Sequence, residues 1–151
     1  MQRDIYRISK MRYVIVLACF LTVAAEALAT EVTFSGAVAE RYPKVAEVAG
    51  YLVFPTGEAK GQVPAVVILH GSGGIDGREE FHAKALNAAD IATLEVLMFT
   101  SGNRPRDGSR SNFTHMYGAL KYLANRPDID PQRIGVMGFS WGAVSLFPPR
   151  L

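Results

Sequence analysis

The 151-residue chain holds a single cysteine, Cys19, and only three histidines, His70, His82 and His115. One thiol can close no disulfide within the chain, and three widely spaced histidines without an HExxH pattern spell no zinc motif, so neither a metal nor a cofactor site is expected. Charge of one sign is also scarce: 16 Lys and Arg stand against 14 Asp and Glu, a net charge of +2. Even the densest basic stretch, Arg104, Arg106 and Arg110, is interrupted by Pro105, Asp107 and Gly108, which argues against a nucleic-acid-binding face. Internal repeats and low-complexity tracts are missing, and the length allows at most one globular domain.

The longest apolar run, Tyr13 to Ala25 (YVIVLACFLTVAA), follows Arg3, Arg7, Lys10 and Arg12 and precedes Ala27-Leu28-Ala29. A basic start, a short apolar core and small residues at the first and third positions of that triplet are the parts of a secretory signal peptide. They predict cleavage after Ala29, with residues 1–29 as leader, residues 30–151 as the domain, and a secreted or periplasmic product without stable membrane insertion. Translation from Met11 would keep the same leader. Two alternatives stay open: a lipoprotein box at Cys19, which would leave only Tyr13 to Ala18 as apolar core, and an uncleaved anchor, for which the run is short. Cleavage at Ala29 would remove the only cysteine and leave stability to packing alone.

Beyond the leader, strand and helix patterns alternate. Val48 to Phe54 and Ala65 to Leu69 are β-branched runs and read as strands. Arg78 to Ala89 reads as a helix with Phe81, Ala85, Leu86 and Ala89 inward and Arg78, Glu79, Lys84 and Asn87 outward. Ile91 to Phe99 is the next strand, with Glu95 its one discordant residue. Phe113 to Ala124 is a second helix, with Phe113, Tyr117, Leu120, Tyr122 and Leu123 on or near one face, ended by Arg126-Pro127. A short buried strand, Arg133 to Met137, follows. Apolar strands alternating with helices predict a mostly parallel sheet covered by helices on both faces. The polar stretch Gly102 to Asn112 reads as a long loop at a strand's C-terminal end.

Two glycine-rich motifs follow strands. Gly138-Phe139-Ser140-Trp141-Gly142 lies between an apolar strand and a helix start, the setting of a nucleophile elbow. There the turn holds the serine in strained geometry, and side chains at 138 and 142 would collide with neighbouring strand and helix. His70-Gly71-Ser72-Gly73-Gly74 follows the strand ending at Leu69, where backbone amides can turn toward a substrate oxygen. A phosphate-cradling reading would require GxxxxGK[ST], which is missing. His70 reads as structural, because in this chain order the base arrives after the elbow.

The HGSGG loop, IATLEVLMF, and the block ALKYLANRPDIDPQRIGVMGFSWG together resemble the dienelactone hydrolase family of the α/β-hydrolase superfamily, over about Gly50 to Val144. The resemblance implies a partial α/β-hydrolase fold lacking its C-terminal strands. It also implies a cofactor-free esterase acting on small esters or lactones, with Ser140 as nucleophile. The amide of Trp141, paired with that of Ser72 or Gly73, would hold the oxyanion, and Gly71, Gly74, Gly138 and Gly142 would shape loop and elbow. Founding members carry cysteine where this chain has Ser140, so dienelactone itself is not the expected substrate.

The superfamily order is nucleophile, acid, histidine, yet Ala143 to Leu151 contain no Asp, Glu or His, and FPPRL reads as a truncated or frame-shifted end. The acid and histidine are therefore expected beyond this segment. His82 and His115 fall on helices, expected to lie along the sheet faces away from the elbow, and Asp90, Asp107, Asp128 and Asp130 read as loop or boundary residues. Two other readings remain: a non-catalytic remnant or binding module, and an acyltransferase or serine peptidase on the same fold.

Overall fold

The computed structural model describes residues 28–36, 47–57, 61–99, 110–144 and 146–147. The expected leader as far as Ala27, with Cys19, most of the expected loop Gly102 to Asn112 and the prolines Pro148 and Pro149 lie outside the described residues.

Among the described residues, five strands and three helices follow in the order β1 (Thr30–Phe34), β2 (Val48–Val53), β3 (Val63–Leu69), α1 (Arg78–Ala88), β4 (Ala92–Leu97), α2 (Arg110–Ala124), β5 (Ile129–Gly138) and α3 (Trp141–Val144). They form one sheet in the order β1-β2-β4-β3-β5. Its β3·β4 and β3·β5 pairs are parallel, whereas β1·β2 and β2·β4 are antiparallel, so the sheet is mixed rather than mostly parallel. The β1 strand, with no apolar run to announce it, is an addition to the sequence reading.

The chain reverses its lateral direction at β3. From β3 through α1 it moves toward β2, and from β4 through α2 it returns across β3 to β5. Crossovers of one hand running in opposite directions place their helices on opposite faces. On β4, Leu94 and Val96 join Phe113, Met116, Ala119 and Leu123 of α2 in the apolar core. The intervening Thr93 faces α1, where Asn87 Nδ2 donates to its Oγ1 at 3.3 Å. Strand alternation puts the discordant Glu95 on that same α1 face.

Three expectations about faces need correction. Helix α1 buries Glu79 and Ala83, while Phe81 is 72% exposed and Ala85 and Ala89 face solvent. Its rotation is set by polar anchors: Glu79 Oε2 accepts the Asp76 amide at 3.3 Å, and Asn87 Nδ2 donates to the Ile91 carbonyl at 2.9 Å. The apolar stripe is too weak to override them. Tyr117 is exposed rather than inward, the buried row being Phe113, Met116, Ala119 and Leu123. Finally, β5 is not buried: among the described residues it pairs only with β3, and most of its own residues are half-buried or exposed.

Candidate active site

The parallel register Leu69↔Gly138 brings the C-terminal ends of β3 and β5 side by side, at the point where the strand order reverses. Both glycine-rich motifs emerge there. Phe139 donates its amide to the Leu69 carbonyl at 3.0 Å, tying the start of the turn to β3. Ser140 then takes a φ of 46°, the left-handed region that a residue with a side chain rarely occupies. Its carbonyl accepts the amides of Ala143 at 3.0 Å and Val144 at 3.3 Å, so the turn leads directly into α3.

Both flanking positions require glycine by close approach. A Cβ on Gly138 would lie 2.6 Å from the Ala143 nitrogen and the Gly142 carbonyl carbon. One on Gly142 would press on the end of β3, 2.8 Å from the His70 oxygen.

The HGSGG loop folds as a tight turn in which the Gly74 amide donates to the Gly71 carbonyl at 3.1 Å. It lies against the elbow: a Cβ on Gly71 would sit 3.6 Å from the Phe139 oxygen and 3.9 Å from Ser140 Cβ. Ser72 and Gly73, between the two bridged glycines, are exposed. His70 is fully buried; its Nε2 accepts the Met98 amide at 3.1 Å, which leaves Nδ1 to donate to the Gly71 carbonyl at 2.8 Å. Both ring nitrogens are thus committed to holding the loop, and the ring edge packs on Phe99.

Ser140 Oγ has no hydrogen-bond partner among the described residues. The expectation that helical histidines stand away from the elbow fails for His82, whose ring centroid is 5.2 Å from that of Phe139. His115 is buried in α2 rather than at a surface. Asp128 and Asp130 pair with Arg126 and Arg133, and Asp130 lies within β5.

Neighbours that sequence reasoning passed over complete the site. Asn112 is fully buried and donates Nδ2 to the Trp141 carbonyl at 3.4 Å, linking α2 to α3. Arg78 reaches back from α1, its Nη2 lying 3.4 Å from the Cβ position on Gly71. Its guanidinium beside Asp76 holds that carboxyl down at about 2. No motif marks any of these residues.

On the α1 face a cavity of about 550 Å³ is lined by Tyr51, Val53, Glu80, Ala83, Asn87 and Glu95, among others, and includes neither motif. Burial there, reinforced by Glu79 and Glu80, pushes the Glu95 carboxyl up to about 7. Among the described residues no group of three or more His, Cys, Asp or Glu is placed to hold a metal ion, and no helix is long and apolar enough to cross a membrane.

Comparison with known proteins gives a consistent picture. The model of the family described as "Esterase FrsA-like" matches residues 22–147. A search of the curated proteins returns no match. Among solved structures, a dienelactone hydrolase from Anabaena variabilis is 26% identical with a TM-score of 0.56, over 78% of this chain and 55% of that one. Est1E from Butyrivibrio proteoclasticus is 18% identical with a TM-score of 0.58, over 78% of this chain and 43% of that one. EstE1, a thermostable carboxylesterase from a metagenomic library, is 21% identical with a TM-score of 0.56, over 79% of this chain and 39% of its own. These likenesses show the α/β-hydrolase fold, and the chain spans about half or less of each structure.

Proposed function

The chain belongs to the FrsA-like esterase family, and from that premise we propose that it carries the nucleophile half of a serine hydrolase acting on small carboxylic esters or lactones. In this reading Ser140 Oγ attacks the ester carbonyl. The resulting oxyanion accepts hydrogen bonds from the Trp141 amide and from that of Ser72 or Gly73. The alcohol then leaves, and water hydrolyses the acyl-serine. The observation that carries the reading is the strained turn at Ser140, flanked by two glycines that tolerate no Cβ and packed directly against the Gly71–Gly74 loop.

Attack also requires a base, since a serine hydroxyl is protonated at neutral pH. The lack of any partner for Ser140 Oγ among the described residues favours a second reading for this segment by itself: a binding-competent but unarmed site. Losing a triad member lowers the rate by about 10⁴- to 10⁶-fold, so the two readings separate cleanly.

The test is an intact-mass spectrum of the protein from its native host, before and after a fluorophosphonate, alongside hydrolysis of short-chain p-nitrophenyl esters. One adduct on Ser140, lost together with turnover in Ser140→Ala, is the expected outcome. Ester turnover untouched by Ser140→Ala would sink the hydrolase reading, and no adduct with no turnover would establish the unarmed site.

A further inference from the structure

The Gly71–Gly74 loop is short of internal support: one backbone bond closes it, and Ser72 and Gly73 are exposed. Oxyanion donors act only when fixed in place before charge develops, so something besides His70, which anchors only Gly71, must hold the exposed tip. Residues just downstream fold back onto it. Arg78, the first residue of α1, donates Nε to Asp76 Oδ1 at 2.8 Å and Nη2 to Asp76 Oδ2, a two-pronged fork. The fork lies beside the turn: Arg78 Nη2 is 3.4 Å from where a Cβ on Gly71 would stand, and Asp76 Oδ2 is 3.7 Å from the equivalent position on Gly73. The Asp76 amide is in turn bonded to Glu79 Oε2 at 3.3 Å, and Glu79 is fully buried.

We propose that the Asp76–Arg78 pair is a positioning device for the oxyanion loop, a clamp that holds the Ser72 and Gly73 amides in register with Ser140. The proposal rests on the reading of Ser140 and that loop given above. The two side chains are 58% and 35% exposed, and an ion pair so open to solvent adds little to global stability. Its effect is therefore local. Geometry rather than charge matters, because only the planar guanidinium can grip a carboxylate with two parallel bonds while lying beside Gly71, where a glycine leaves it room. Lysine at this position would keep the charge and lose the fork.

Two measurements on Arg78→Ala, Arg78→Lys and Asp76→Asn test the clamp. Hydrogen exchange of the peptide spanning residues 70–77 needs no activity; it should accelerate about tenfold or more in each variant, with α2 unchanged, since the opening is local. In the protein that turns over esters, kcat should fall by about ten- to a hundredfold with KM nearly constant, because the amides are loosened rather than removed. Added guanidinium ion should partly restore kcat in Arg78→Ala. Unchanged exchange in residues 70–77 would overturn the clamp. So would a kcat left intact while KM rises for carboxylate-bearing esters alone, because Arg78 would then be a substrate contact. Absence of any Ser140-dependent turnover would refute the functional reading, and the exchange experiment would still decide the clamp.

Discussion

Glu95 offers a sharp test of the energetics of the α1 face. Its carboxyl rises from the ordinary 4.5 to about 7, chiefly through burial and then through Glu79 and Glu80, and its Oε1 has no hydrogen-bond partner among the described residues. The folded state therefore holds a proton that the unfolded chain has already released. Below about pH 4.5 both states are protonated and Glu95 has no effect on stability; between 4.5 and 7 stability falls; above 7 the full penalty applies. At about 1.4 kcal/mol per pH unit the interval would be worth about 3 kcal/mol, but Glu95 is only half-buried, so about 1–2 kcal/mol is the defensible figure. Glu95→Gln keeps the shape and removes the ionisation. Urea unfolding of both proteins from pH 4.5 to 8 should give equal stabilities at the acid end and a Gln advantage of about 1–2 kcal/mol at pH 8. A Gln advantage of the same size at both ends would refute the charge argument and point to packing.

Three further substitutions probe other parts of the frame. Gly142→Ala places a Cβ 2.8 Å from the His70 oxygen and should lower stability by about 2 kcal/mol or more while abolishing fluorophosphonate labelling, read by thermal melt and intact mass. Ser140→Gly relieves a φ of 46° and should raise stability by up to about 1 kcal/mol in a urea titration, while removing the labelled hydroxyl. Arg126→Lys gives up a fork to Asp128 at 2.8 and 2.7 Å, a bond to Tyr122 and a stack over Phe54; a loss of about 1 kcal/mol in a urea titration is expected.

What the sequence announced and what it hid follow from how each feature is encoded. The tight turn around Ser140 was legible because close backbone approach leaves no alternative to glycine at 138 and 142, whereas a Cβ on Gly71 would meet only ordinary contacts. The strand ending at Leu69 was legible as an apolar run, and so was the Arg133 to Met137 part of β5, which in the structure runs from Ile129 to Gly138. Direction was less so: that β1 and β2 run antiparallel depends on the path between them, which carries no pattern of its own. The inward face of α1 was misread because Glu79, buried, and Asn87, half-buried, are turned inward by bonds to the Asp76 amide and the Ile91 carbonyl rather than by apolarity. A periodicity argument counts such residues on the wrong side.

The placement of the candidate site also separates what topology determines from what it leaves free. Because β3 and β5 are adjacent and parallel, the loop after one and the turn after the other must meet at the same edge of the sheet. That alone brings Ser140 beside Gly71, and it requires only the two opposed crossovers through α1 and α2. Among the described residues no comparable constraint delivers a base. His70 sits at the right edge but commits both nitrogens to the backbone, and His82 reaches the elbow only as a ring packed on Phe139. A serine can thus be presented, and the amides around it arranged, by geometry that says nothing about whether the hydroxyl is activated. Placement of Ser140 and activation of its hydroxyl are separate physical problems, and labelling by a fluorophosphonate is informative because it requires both.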